Sequence, residues 1–227
     1  MTDSSSPRTA VLFDIDGTLV DSNYLHVEAW HRAFAAVGHP VDAWRIHRSI
    51  GMDSGKLLDS LLGDAADQVG DDAKEKHSGF YETLTDRLRP IDGARELLST
   101  LADRGHTVVL ATSAPQHELD ILLKVLEVGP DVDAVTSSED VGSAKPDPDI
   151  IEVALEKADV SADRAILVGD AVWDVKAASR AGVPTIGVLS GGYSEAELRD
   201  AGAVAVYEDV ADLLAHLDDS PLGSLRA

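Results

Sequence analysis

The chain has 227 residues, 44% of them hydrophobic, with 41 Asp and Glu against 19 Lys and Arg and a formal net charge of −22. So acidic a surface repels nucleic-acid backbones and acidic membranes, and no basic run offsets it, so neither is expected as a partner. The absence of cysteine excludes disulfides, thiolate catalysis and zinc-finger or iron–sulfur centres, which leaves oxygen and imidazole to hold any metal.

The N-terminal MTDSSSPRTA lacks the cationic and then apolar order of a secretion signal. No apolar run reaches the roughly 20 residues of a bilayer span. A cytoplasmic protein, monomer or homodimer, is expected. The excess of Asp (29) over Glu (12), with Lys only 7 of the 19 bases, is compatible with a salt-rich or GC-rich source and predicts greater stability at high salt.

In chain order, the apolar run 10–13 predicts a first strand. The segment 21–89 then offers helices and no convincing strand. Its first helix is marked by Leu25, Ala29, Trp30, Ala33, Phe34 and Val37 at helical spacing, with Gly38 as its stop and Asp21, Ser22 and Asn23 as N-cap candidates. Trp30 and Trp44 are expected to be packing anchors. Pro90 and Gly93 mark the return to the main body. From there helices near 93–103, 116–127, 149–157, 172–181, 195–200 and 210–217 alternate with strands at 107–111, 134–136, 165–168, 185–189 and 204–207. Ser194 and Glu197 form a capping box and Asp209 is a further N-cap. The tail after Asp219 is expected to fray. The alternation predicts an α/β fold, a Rossmann-like parallel sheet flanked by helices from residues 1–20 and 90–227, with an inserted α-helical cap at 21–89.

Four strand ends carry chemistry-bearing residues. Asp14 and Asp16 follow the first strand two apart, so both project to one side at its C-terminal end, where open α/β sheets bind ligands. Gly17 permits a sharp turn and Thr18 adds a hydroxyl. Alone, such a stretch is equally well a turn. Ser113 follows the second strand, and Lys145 precedes Pro146 in extended geometry. Asp170 ends a later strand, with Asp174 on the same helix face. Crowded carboxylates repel unless a divalent cation neutralises them, and oxygen donors favour Mg²⁺. An aspartate nucleophile, a second acid, a cation, a lysine and hydroxyls describe phosphoryl transfer.

These segments, in this order, resemble the four motifs of the haloacid dehalogenase (HAD) superfamily, and the insert resembles the cap of its subfamily I. That group holds phosphoglycolate phosphatase, β-phosphoglucomutase and phosphonoacetaldehyde hydrolase. The resemblance implies an aspartyl-phosphate on Asp14, with Asp16 protonating the leaving oxygen and then activating water. It implies phosphoryl contacts from Thr18, Ser113 and Lys145, and Mg²⁺ held by Asp14, Asp170, Asp174 and the main-chain carbonyl of Asp16. The expected activity is hydrolysis of a small phosphomonoester, with phosphoglycolate, sugar phosphates and nucleoside monophosphates all open. True dehalogenases lack an acid at the Asp16 position, which favours phosphate chemistry.

Two other readings stand beside it. His26 lies twelve residues after Asp14, the spacing of the cap-hinge histidine in β-phosphoglucomutases, though it also fits the apolar stripe as a packed residue. Ser54 stands where the mutase pattern has an arginine, and Gly169-Asp170 is the phosphatase-like form. A phospho-aspartate signalling module is the remaining alternative, disfavoured because Asp16 follows the acceptor. In the cap, Arg45, His47, Arg48 and Lys56 around Gly51 are the candidate substrate contacts. Lys56, Lys74 and Lys76 offer amines for Schiff-base chemistry, with none singled out.

Overall fold

The structure, a computed structural model, describes residues 8–140 and 145–225. The N-terminal segment read above falls outside them up to residue 7. Six strands, β1 (Ala10–Phe13), β2 (Thr107–Leu110), β3 (Ala134–Val135), β4 (Ala165–Gly169), β5 (Thr185–Val188) and β6 (Ala205–Tyr207), form one parallel sheet in the order β3-β2-β1-β4-β5-β6. The order reverses at β1, so the crevice at the C-terminal ends of β1 and β4 is the switch point where such sheets bind ligands.

Strand side chains alternate between two covered faces. Val11, Phe13, Leu110 and Val168 pack with Leu97, Leu101, Leu119, Leu122 and Leu213, from α5 (Ala94–Asp103), α6 (Gln116–Leu126) and α10 (Val210–Ala215). Ala10, Leu12, Val109 and Leu167 pack with Ile150, Ile151, Ala154, Ala177 and Ala178 from α7 (Asp149–Ala158) and α8 (Val172–Arg180). Burial on both faces is why these strands read as continuous apolar runs. The helix α9 (Glu195–Ala201) starts with the expected Ser194–Glu197 capping box, and Asp209 caps α10.

Between β1 and α5 the chain builds α1 (Asn23–Ala36), α2 (Ala43–His47), α3 (Ser54–Leu62) and α4 (Ala66–Glu82) around a separate apolar cluster that includes Trp30, Phe34, Ile46, Leu57 and Leu61. Its exit and return run side by side. Asp21 N donates to Arg89 O at 2.9 Å, and Val20 bridges Pro90. Two expectations fail. Trp44 is 67% exposed rather than a packing anchor. The tail does not fray at Asp219: the Ser220 hydroxyl accepts from Leu222 N at 3.1 Å, starting α11 (Pro221–Ser224), and Leu222 is buried. No helix among the described residues is long and apolar enough to cross a membrane.

Candidate active site

Register places the acids together. Phe13 pairs with both Leu110 and Val168, so the residues after β1, β2 and β4 emerge at one level of the sheet edge. One carboxylate oxygen from each of Asp14, Asp170 and Asp174 lies within 4.8 Å of the others, and all three residues are buried. Lys145 is buried among them. Its Nζ donates to Asp14 Oδ1 and stands 2.7 Å from Asp174 Oδ1. Asp174 Oδ2 also accepts from Ala171 N at 3.0 Å.

Three carboxylates and one ammonium leave a buried excess of negative charge. Burial, opposed by Lys145 and reinforced by Asp174 and Asp16, pushes the Asp14 carboxyl up to about 7. Burial and the charges of Asp174 and Asp14 likewise raise Asp170 well above the usual carboxylate range. A divalent cation relieves this repulsion, and an all-carboxylate donor set suits a hard ion. The residues therefore fit a metal of the Mg²⁺ kind.

Asp16 is turned differently. Its Oδ1 accepts from Ser22 Oγ at 2.6 Å and lies 3.4 Å from His26 Nε2. Burial works to raise its pKa, but the bonds and charge from His26 and the Ser22 hydroxyl outweigh that and lower it. His26 is raised in return, against the effect of its burial, chiefly by Asp16. His26 is buried, stacks on Tyr81 at 4.0 Å between centroids, and meets His77 Nε2 through Nδ1 at 3.2 Å. His77 stacks on Trp30 at 4.1 Å, and burial drives its pKa down to about 2. It is neutral.

A cavity of about 230 Å³ lies between this edge and the helical insert. Asp14, Asp16, Ser113 and Lys145 line its floor, and His26, Gly51, Lys74, His77 and Ser78 line the insert side, with His117 and Glu118 of α6 at the flank. Sequence-predicted residues divide accordingly. Ser113, His26 and Gly51 reach the cavity. Thr18 does not: its hydroxyl is fully buried and donates to Asp170 Oδ1 at 3.0 Å, because the turn at Gly17 directs it sideways to the next strand end. Arg48 is bonded to Glu197 and lies over the Tyr193 ring, and Lys56 pairs with Asp147. Both stand at the rim between insert and sheet domain, since their partners lie there. Of the other insert lysines, Lys74 lines the cavity, whereas Lys76 pairs with Asp72.

Some of the site was not read from sequence. Asn23 Nδ2 donates to Asp170 Oδ2 at 2.9 Å, and Ser22 binds Asp16. Both are N-cap candidates by sequence, yet Ser22, which stands at the N-cap of α1, makes no side-chain cap bond, and Asn23 is the first residue of the helix. Ser190 Oγ donates to Gly17 O at 2.6 Å. At Gly191 an added Cβ would stand 1.7 Å from Asp170 Oδ2, so only glycine lets the end of β5 close over that acid. Small residues after a fifth strand on the same edge were the available signal.

The family model for haloacid dehalogenase-like hydrolases matches residues 9–182. The chain is 32% identical over 214 residues to a phosphoglycolate phosphatase of Rhodospirillum rubrum, covering 90% of this chain and 88% of that protein. It is 30% identical over 210 residues to a phosphorylated carbohydrates phosphatase of Thermotoga maritima, covering 90% and 97%. The crystal structure of a hydrolase from Pseudomonas syringae shares 41% identity with a TM-score of 0.88, covering 93% of this chain and 99% of that one. The chain belongs to the haloacid dehalogenase-like hydrolases, in their subfamily I, and is an enzyme of the phosphatase type.

Proposed function

We propose that the protein hydrolyses a small phosphomonoester with Mg²⁺ through an aspartyl-phosphate on Asp14. The observation that carries the reading is the buried Asp14–Lys145–Asp174 arrangement with Asp170 in reach, facing a cavity that Asp16 also lines. Asp14, Asp170, Asp174 and the Asp16 carbonyl would hold the cation, which when bound neutralises charge on the transferring phosphoryl group.

In the first half-reaction an Asp14 carboxylate oxygen attacks phosphorus, the ester oxygen leaves, and the proton held by the Asp16–His26 pair passes to it through Asp16. In the second, water attacks the phosphorus of the acyl-phosphate, Asp16 takes the water proton, and phosphate departs as the Asp14 carboxylate is restored. Ser113 and Lys145 hold phosphoryl oxygens, and Lys145 fixes the Asp14 rotamer. The charge-assisted contact from His26 and the Ser22 bond aim Asp16. Residues 21–89 act as a cap over 1–20 and 90–227, excluding bulk water during the reaction.

The cavity is smaller than the about 300–1,000 Å³ typical of drug-sized ligands. That suits a phosphoryl group on a short carbon skeleton better than a nucleotide. A phosphosugar mutase would need cations for a second phosphate, and Arg48 and Lys56 are bound elsewhere. Asp14→Asn should lower turnover of p-nitrophenyl phosphate by about 10⁴-fold or more. Retained activity in a clean preparation refutes the mechanism. Conversion of glucose 1-phosphate to glucose 6-phosphate would replace it with the mutase.

A further inference from the structure

The flank of the cavity carries a feature that the proposed mechanism does not use. Glu118, in the first turn of α6, is buried and lines the cavity. Among the described residues the only basic side chain within ion-pair distance of its carboxylate is His117, at 3.7 Å, and His117 Nε2 is itself 3.1 Å from Ser78 Oγ. No hydrogen bond to the Glu118 carboxylate occurs among the described residues. The residue is buried, but it lines the cavity and its carboxylate is poorly paired, so it is placed to accept a hydrogen bond from a ligand there.

The charges around it decide what that donor can be. Lys145 is taken up by Asp14 and Asp174. Lys74 is the other lysine lining the cavity, and it faces Glu118, so together they offer no positive excess to a second anion. Asp16 and His26 face Glu118 from the floor and from α1. Burial, ahead of the opposing pull of His26, His117 and Lys74, raises its pKa. A hydroxyl pairs with Glu118 in either protonation state. A carboxylate in the same place must bring a proton with it or meet like charge.

Resting on the phosphatase reading above, we infer that Glu118 selects the leaving group: it accepts a hydroxyl of a neutral, polyhydroxylated alcohol and rejects leaving groups that carry a carboxylate. Lys74, Ser78 and His117 supply donors to the remaining oxygens, and Trp30, Met52 and Leu57 cover the carbon skeleton. The substrate class is the phosphate ester of a short polyol or sugar.

The matched pair glycerol 3-phosphate and 3-phosphoglycerate tests this, since the two differ only in a terminal CH₂OH against a carboxylate. Wild-type protein should show at least about a tenfold higher kcat/KM for glycerol 3-phosphate. Glu118→Gln should bring the ratio to within about threefold, and Glu118→Asp, which keeps the charge, should retain the preference. A native circular dichroism spectrum and a cooperative melt show that each variant is folded. Wild-type protein that cleaves p-nitrophenyl phosphate but treats the pair equally, or prefers 3-phosphoglycerate, overturns the inference and leaves the phosphatase reading standing. A Gln variant with an unchanged ratio overturns the role of Glu118. Wild-type protein that cleaves none of the three overturns the phosphatase reading itself.

Discussion

The floor of the cavity and its helical roof are held by different kinds of contact. On the floor, Asp14, Lys145, Asp170 and Asp174 are fixed on parallel strand ends, and bonds from Thr18, Asn23 and Ala171 N leave the acids little freedom. On the roof, the rings of Trp30, His77, His26 and Tyr81 stack, while the attachment to the floor runs through the rim. There Arg48 meets Glu197, Lys56 meets Asp147, His47 Nε2 meets Gly191 O at 2.9 Å, and Asp53 N donates to Lys145 O at 3.1 Å. Buried charges on a rigid edge give fixed chemistry. Half-exposed pairs at a rim are individually weak, so the roof can part from the floor.

That contrast is tested most severely at Asp170. Its folded-state pKa is raised, so the native protein keeps a proton that the unfolded chain releases near the ordinary carboxylate value of 3.8. The associated stabilisation is complete below the unfolded value and is lost as pH rises through the folded one. At neutral pH the acid therefore weighs against the metal-free fold. Asp170→Asn should cut turnover more than about 100-fold yet raise the melting temperature of metal-free protein at pH 7.5. The gain should shrink toward pH 5. Mg²⁺ should stabilise the wild type and not the variant. A variant that melts lower at pH 7.5 would mean that the floor acids are not strained by their own repulsion.

Thr18→Val tests the same wall with a smaller change. The hydroxyl bonds Asp170 and does not reach the cavity. The variant should raise the Mg²⁺ concentration for half-maximal activity by about 10–100-fold, with little change in KM for p-nitrophenyl phosphate at saturating metal. The reverse pattern would return Thr18 to the phosphoryl group, where its place in the motif had put it.

Thr18 also shows where sequence reading stops. The sheet was legible because Val11 to Phe13 and Ile166 to Val168 are apolar on both faces, and the site because Asp14, Asp16, Ser113, Lys145, Asp170 and Asp174 are residue types rarely met together in that order. The direction of a single hydroxyl after Gly17 depends on backbone geometry that no spacing encodes. Ser22 and Asn23 carried a true local signal, an N-cap before an amphipathic helix, but the nearby carboxylates of Asp16 and Asp170 won those side chains through charge-assisted bonds. Arg48 and Lys56 looked like free anion contacts because their partners lie 149 and 91 residues further on. Asn23 is buried against an acid 147 residues away, and nothing local distinguishes it from a cap.

The smallest effect is expected at the rim, and it bears on the roof alone. Arg48 and Glu197 have side chains 37% and 41% exposed, so solvent screens their pairing, and a double-mutant cycle of Arg48→Ala and Glu197→Ala should give a coupling of about 0.2–1 kcal/mol in global stability. Both single variants should leave the Mg²⁺ requirement unchanged, because neither residue touches the floor acids. The Tyr193 hydroxyl still donates to Arg48 O at 2.9 Å, a main-chain bond that survives either substitution and keeps the insert seated. The coupling should fall further in 0.5 M salt. A coupling of several kcal/mol, insensitive to salt, would make the rim as rigid as the floor, and the roof would then have to release product without lifting.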